Sequence, residues 1–243
     1  MNINKTCLLI TGCINPDNRV PVFALSNAQA RREQYVESLK YYIECSKYRN
    51  IVFCENSSSV EDNSIKEKAN KLNKNFEWIS FSGNVKKTIL HGKGYGEGEI
   101  VEYALTHSKI LSRCDTFVKV TGRLIVHNIN WCIRLKTDNG AYFDISREYV
   151  DTRMYIMPVK FYNRFLISTY KEVNDNERRY LEHVIFEKMK LHPQNFKQIP
   201  FYVNIEGQSG SKGSRYEKEN NTKTILKSIK KMAKAIVIRY KIK

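Results

Sequence analysis

The sequence predicts an α/β fold built on a Rossmann-like, mostly parallel central sheet flanked by helices, with a basic amphipathic helix at the C-terminus. Three observations predict it. Apolar runs at residues 6–14 (TCLLITGCI), 50–54 (NIVFC) and 76–81 alternate with segments of helical period, which gives the order βαβαβ. A length of 243 residues with 42% hydrophobic content and 15 tyrosines suffices for a full core and argues against disorder. Residues 222–243 set eight cations and no acid around an apolar stripe.

Thr11 lies at the end of the first run, ahead of the turn Asn15-Pro16-Asp17-Asn18. From Ala28, the residues Ala30, Tyr35, Leu39, Tyr42 and Ile43 recur at helical spacing to about residue 48. Arg31 and Arg32 fall in the first turn, where the helix dipole disfavours cations. Either one of the two contacts an anionic ligand, Arg32 being the candidate chosen, or each is an ordinary surface arginine. The second strand ends in Glu55-Asn56-Ser57-Ser58, and a helix over 60–73 leads to the third. Parallel order with right-handed crossovers gathers ligands at the carboxyl ends of strands. Thr11, Glu55, Asn56, Ser82, Thr121 and Arg123 lie at such ends.

Residues 92–123 (GKGYGEGEIVEYALTHSKILSRCDTFVKVTGR) read as a glycine loop, a helix and a strand that stops at Thr121-Gly122-Arg123. Gly92, Gly94, Gly96 and Gly98 alternate, so the backbone N–H groups of a loop through Lys93, Gly94, Tyr95, Gly96 and Glu97 suit an anion. The loop is neither GxxxxGK[ST] nor a full GxGxxG, because Glu97 and Glu99 stand where the third glycine belongs. A plain flexible loop stays open beside the binding loop.

After Arg123 the pattern predicts strands at 124–133, 141–145, 154–165 and 199–205, and a helix over 175–189 with Glu182 and His183 beside its buried face. In residues 207–216 (GQSGSKGSRY), Ser209, Gly210 and Ser211 offer hydroxyl and N–H groups to a sugar or a pyrophosphate. The alternative is a linker to the tail, which composition favours.

Lysine and arginine outnumber aspartate and glutamate by 41 to 25, a net charge of +16, so anionic partners are expected. The tail supplies half of that excess (8 of 16). Its stripe of Ile225, Leu226, Ile229, Met232, Ala233, Ile236, Val237 and Tyr240 predicts an interfacial helix on an anionic membrane, at roughly 1 kcal/mol per basic residue near the leaflet. A terminal helix packing that stripe on the domain is the alternative. No nucleic acid is expected, because no groove-reading motif is present. The six cysteines form no CxxC and read as small buried hydrophobes of a reducing compartment, which disfavours a zinc site or a disulfide framework. With no signal peptide and no apolar run of spanning length, the body is expected in the cytoplasm.

The layout resembles the GT-A-like glycosyltransferases of bacterial surface polysaccharide (O-antigen and capsule) synthesis. The resemblance rests on NIVFCENSS, GKGYGEGEIVEYAL, FVKVTGRL, and DNERRYLEHVIFEKM followed by GQSGSKGSRY, which together span most of residues 1–215. It implies transfer of a sugar from a nucleotide sugar to a lipid-linked glycan acceptor, by an enzyme peripheral to the inner face of the cytoplasmic membrane. The division it implies is a transferase domain over 1–215 and a membrane-associating tail over 216–243.

Members of that fold carry Asp-x-Asp after the central helix to hold a divalent metal; here Lys119-Val120-Thr121-Gly122-Arg123 occupies the place, and no DxD occurs in the chain. No metal is therefore expected, and Lys119 and Arg123 are cations that can neutralise a diphosphate. The resemblance makes Glu182 the first candidate for the base that takes the acceptor proton, and Asp175 the second. A surface pairing of Glu182 with Arg178 or Arg179 is the plain reading. Asp151, Arg153 and His183 complete the expected acceptor side with the 209–211 loop, where tyrosines can stack on sugar rings. Two rival functions remain: a non-catalytic basic membrane- or nucleic-acid-binding protein, and a nucleotide-dependent transferase of a non-sugar group.

Overall fold

The structure, a computed structural model, describes residues 1–20, 27–137, 140–210 and 213–241, the stretch 234–241 as backbone only. β1 (Thr6–Gly12) and β2 (Asn50–Glu55) are buried along their whole length, which is why both read as unbroken apolar runs. Between them runs α1 (Ala28–Cys45), capped by Asn27, and α2 (Asn63–Lys71) leads to the edge strand β3 (Asn75–Ser80). Next come α3 (Val85–His91), α4 (Lys93–His107), β4 (Thr116–Thr121) and β5 (Leu124–Val126). β6 (Ala141–Ile145), β7 (Val150–Pro158), α5 (Val159–Phe165), α6 (Leu181–Lys190), β8 (Phe196–Gln198), β9 (Ile205–Gln208), β10 (Arg215–Tyr216) and α7 (Asn221–Lys241) complete the chain.

Seven strands make one sheet in the order β3-β2-β1-β4-β7-β6-β8, in which only β7 runs against the other described strands. The α/β class and the mostly parallel sheet are as the sequence predicts. Alternate residues of each strand enter two cores. One holds Cys7, Leu9, Phe117 and Tyr155 under α4 and α6; the other holds Leu8, Ile10, Val118 and Ile156 under α1 and α2. A smaller sheet, β10-β9-β5, stands beside the carboxyl end of β4.

The glycine stretch is a correction. Residues 93–98 are not a loop but the opening turns of α4, and Gly94, Gly96 and Gly98 are buried in it. Glycine's low helix propensity predicts a loop, and packing overrides it. A Cβ on Gly94 would stand 3.1 Å from that of Leu181, and one on Gly98 would stand 2.6 Å from Cγ of Tyr170. Gly98→Ala, which by propensity alone gains about 1 kcal/mol, is therefore expected to lose about 1–3 kcal/mol net by overpacking. A thermal melt that rises would refute this.

The helix expected over 175–189 is also broken. Asp175–Glu177 is a single 3-10 turn, Arg178 takes a left-handed φ of 58°, and α6 starts only at Leu181. Residues 124–133 hold the short β5 and then a 3-10 turn, Ile129–Arg134. The run 154–165 divides into the end of β7 and α5, and residues 199–205 are no strand but the approach to β9. In place of the linker reading, Gly207 and Gln208 of β9 pair with Tyr216 and Arg215 of β10, and Gly207 takes a φ of 127°. β10 takes in Tyr216, so residues 215 and 216 belong to one strand.

α7 docks by its polar edge. Thr224 and Ser228, one turn apart, are buried; Asn204 Nδ2 donates to Thr224 Oγ1 at 3.0 Å, and Ser228 Oγ accepts from Tyr202 N at 3.0 Å. Ile225, Leu226, Ile229 and Met232 are left 50, 55, 55 and 46% exposed, so these four residues of the stripe do not pack on the domain.

Candidate functional site

The carboxyl ends of β1, β2 and β3 border a cavity of about 210 Å³ whose wall includes Cys13, Asn15, Asp17, Asn56, Ser57 and Thr88. Its frame is Glu55. This carboxylate is buried, and its oxygens take the N–H of Ser57 (2.9 Å) and of Ser59 (2.8 Å) together with the hydroxyls of Ser57 and Ser80. Ser57 Oγ in turn accepts from Ile14 N (3.0 Å) and Asn15 N (2.9 Å), which ties the loop after β2 to the loop after β1. Glu55, expected to touch a donor, instead shapes the cavity wall from behind. Asn56 bonds Glu99 through its side chain, and its Oδ1 finds no partner. Thr11 is buried, its hydroxyl directed to the Val120 carbonyl at 3.4 Å, so it lies beneath the edge.

At the ends of β1 and β4 the structure puts Arg31 where the sequence favoured Arg32. Arg32 turns outward to the Val60 carbonyl (3.1 Å) and Asp62 (3.9 Å), away from the cavity. Arg31 is buried, donates to the Cys13 carbonyl from Nε (3.0 Å) and from a terminal nitrogen, and sits 6.0 Å from the Tyr35 ring centre. Arg123, 7% exposed, donates to Gln34 Oε1 at 2.9 Å. Burial lowers its pKa, and Arg31 lowers it further. Gly122 has no room for a side chain: a Cβ would stand 2.6 Å from the Thr11 carbonyl. One at Gly210 would stand 3.3 Å from the Arg123 guanidinium. Ser209 is buried and donates its N–H to the Ser214 carbonyl at 2.8 Å, while Ser211 lies outside the described residues.

Under α4, Lys119 is completely buried. Its ammonium pairs with Glu97 and donates to Thr121 Oγ1 (3.1 Å) and the Thr152 carbonyl (2.7 Å), so all three N–H groups are used internally. Lys119 is thus unavailable to a diphosphate, contrary to expectation. Thr152 also donates from Oγ1 to Glu182 Oε1 at 3.0 Å. Glu182 is half-buried, and burial followed by the nearby Glu97 carboxylate raises its pKa. The pairing with Arg178 or Arg179 is absent: Arg179 bridges Glu172 and Glu187.

Asp175 has a different place. Gly92 (φ 98°) begins α4 with no side chain to cap it, and the Asp175 carboxylate accepts from the N–H groups of Lys93 and Gly94 instead. Burial still raises its pKa, against the pull of Lys93. As the cap of α4, Asp175 is a structural carboxylate rather than a second base. Tyr95 packs in the core against His91 and Tyr170, and Gly96 faces Asn56 and Thr88.

Where the sequence placed the acceptor, β7 carries extra residues, since Tyr142 pairs with Ile156 but Asp144 with Asp151. This bulge turns Asp151 and Arg153 together to a second cavity of about 370 Å³, shared with Tyr202, Arg215 and Tyr216. Arg153 pairs with Asp151 and lies 4.7 Å over the Tyr216 ring. His183 accepts from Tyr180 N at 3.4 Å and faces the Tyr149 ring, apart from that cavity. Among the described residues no group of three or more His, Cys, Asp or Glu is gathered as metal ligands, and no helix is long and apolar enough to cross a membrane. Sequence reasoning missed Gln34, Tyr35 and Cys13, and of the two cations in the first turn of α1, which has no acid there, it chose Arg32 over Arg31.

No family model and no curated protein matches the chain. Among solved structures, the galactosyltransferase LgtC in complex with donor and acceptor sugar analogues is 10% identical, with 80% of this chain and 74% of that chain aligned and a TM-score of 0.50. A glycosyltransferase involved in glycosylation of the major capsid of PBCV-1 is 10% identical over 80% of this chain and 81% of its own, TM-score 0.44. The mannosyltransferase Ktr4p of S. cerevisiae is 7% identical over 83% and 70%, TM-score 0.45. At 10% identity the likeness to LgtC is one of fold, and by that fold the chain is an α/β protein of the GT-A type.

Proposed function

We propose that the protein is a glycosyltransferase that moves a sugar from a nucleotide-activated donor to a lipid-linked acceptor in surface polysaccharide assembly. The observation that carries this reading is the cavity at the ends of β1–β3, polar-walled and framed by Glu55, beside the buried Arg123. Nucleotides bind in crevices at the carboxyl edge of parallel sheets, and the likeness of fold to a galactosyltransferase solved with donor and acceptor analogues supports the assignment. Glu182 is the proposed base: its raised pKa suits a carboxylate that takes a proton from an acceptor hydroxyl as that oxygen bonds the sugar. The electron pair of the broken sugar–phosphate bond leaves on the diphosphate, whose charge the reading assigns to arginine rather than a metal. The Asp151–Arg153–Tyr216 cavity offers an aromatic face to acceptor rings. The open stripe on α7, flanked by Lys223, Lys227 and Lys230, supports attachment to an anionic inner membrane face, where such acceptors lie.

The test is a thermal-shift panel of nucleoside diphosphates and nucleotide sugars, each in EDTA and in Mn²⁺. One nucleotide family is expected to raise the midpoint in EDTA, by about 2.7 kcal/mol of stabilisation at a hundredfold excess over Kd. A shift that needs Mn²⁺ overturns the metal-free reading, and no shift with any nucleotide overturns the transferase.

A further inference from the structure

α7 carries two different faces. With about 3.6 residues to a turn, Thr224, Ser228 and Lys231 share one edge, and Ile225, Leu226, Ile229 and Met232 centre about 120° round the helix from it. The first edge lies on the domain: Thr224 and Ser228 are buried, and Lys231 pairs with Asp144 at 2.5 Å. The second faces solvent and holds four of the ten large apolar side chains that stand exposed among the described residues.

The docked edge also reaches the cavity beside Asp151 and Arg153. Of the residues lining that space, Asp144 takes the Lys231 ammonium, Tyr202 gives its N–H to Ser228 Oγ (3.0 Å), and Glu219 pairs with Lys227 at 2.5 Å. The Lys227 ammonium stands 4.7 Å over the Tyr202 ring as well. Residues 202–204 and 217–219 belong to no strand, so no ladder holds them. Asn204 joins the two stretches, accepting from Glu219 N (2.9 Å) and donating to the Glu219 carbonyl (2.8 Å) and to Thr224 Oγ1 (3.0 Å). This wall is therefore ordered only as far as α7 is ordered, and a helix seated by one edge draws little of its stability from its own hydrogen bonds in water.

We infer that insertion of the α7 stripe into an anionic leaflet orders the wall of the acceptor cavity, so that membrane and acceptor glycan bind cooperatively through one helix. The inference rests on the transferase reading for the glycan and on the two faces of α7 for the coupling. Because the stripe and the docked edge lie about 120° apart, lipid and domain can hold the helix at the same time. The leaflet stiffens the helix, and Lys227, Ser228 and Lys231 then fix Glu219, Tyr202 and Asp144 before a sugar arrives. The glycan loses less freedom on binding, and by linkage it tightens the hold on the leaflet by the same factor. Charge favours lipid over a second copy of this chain as the occupant of the stripe: copies at +16 repel one another, while Lys223 and Lys230 beside the stripe complement lipid phosphates.

The experiment is amide hydrogen exchange of the full chain, alone, with phosphatidylcholine vesicles and with vesicles that contain phosphatidylglycerol, with sedimentation to record the bound fraction. Phosphatidylglycerol vesicles are expected to bind the protein and to slow exchange at 202–204 and 217–219 by about fivefold or more; phosphatidylcholine alone is expected to do neither. Ile229→Gln is expected to lose both effects. Ser228→Ala is expected to sediment with the vesicles as the parent does and to lose the slowing at 202–204. Unchanged exchange in the vesicle-bound parent overturns the coupling with no variant needed, and faster exchange overturns it by showing that the leaflet strips α7 from the domain. Failure to bind phosphatidylglycerol overturns it too, as does a lipid-free dimer that I229Q dissociates, since a second copy would then cover the stripe. If the two segments slow and no nucleotide raises the melting midpoint, the coupling stands and the transferase reading falls. If nucleotide sugars bind and the segments ignore the leaflet, the reverse holds.

Discussion

Glu182→Gln is expected to lower sugar transfer by about 10²- to 10⁴-fold, the usual contribution of a general base, while the protein stays folded and binds donor. The amide still accepts the Thr152 hydrogen bond. It cannot take a proton. The same substitution has a second readout of opposite sign. Burial and Glu97 raise the folded pKa of Glu182 above the ordinary glutamate value of about 4.3. Between the unfolded and folded values the folded state holds a proton that the unfolded chain has released. The stabilisation is therefore full below the unfolded value and is lost as pH rises through the folded one. E182Q removes that loss, so urea midpoints at mildly acidic to neutral pH should fall less steeply with pH than in the parent. Full turnover in E182Q ends the assignment of the base; an unchanged pH slope ends the account of its environment.

The other large effect belongs to Lys119. Glu97→Gln leaves a completely buried ammonium with Thr121 and the Thr152 carbonyl and no countercharge, a loss of about 3–5 kcal/mol by the usual cost of breaking a buried pair. Lys119→Met strands the opposite partner, but the Glu97 side chain is 29% exposed and reaches water, so the loss should be markedly smaller. The double variant should recover much of what E97Q loses, because neither charge is then left alone. Urea titration of the three proteins measures this, and equal losses in the two single variants would show that the pair shares its burial evenly.

The wound half of the fold was legible because β1 and β2 are covered on both faces, and a strand buried on both faces has no polar alternation to confuse it. The glycine run misled because propensity is local while the need for glycine lies at Tyr170 and Leu181, more than seventy residues on. Asp175 was read as the start of its own helix, whereas it caps another that opens at Lys93. The tail's stripe was visible in the spacing, but the docking edge was not, because Thr224 and Ser228 become an interface only once Asn204 and Tyr202 face them.

The site was legible as an edge and not as a set of contacts. Glu55, Asn56 and Arg123 were found because strand ends are found, yet Glu55 and Thr11 serve from beneath the surface. Arg31 and Arg32 are neighbours in the same first turn, and which of them meets the end of β1 depends on the rotation of α1 about its axis. Leu39 and Tyr42 fix that rotation only when the sheet is present.

The carboxylate of Glu55 gathers Ser57, Ser59 and Ser80, and Ser57 passes the constraint to Ile14 and Asn15. The frame of the cavity is therefore settled during folding, and little ordering entropy is left for the moment of binding. A frame shared by so many bonds resists gradual change, since altering one serine disturbs three segments at once. Asp17 and Thr88 line the same space without holding that frame, so under the proposed function a change of nucleobase preference is expected at these two positions rather than at the serines.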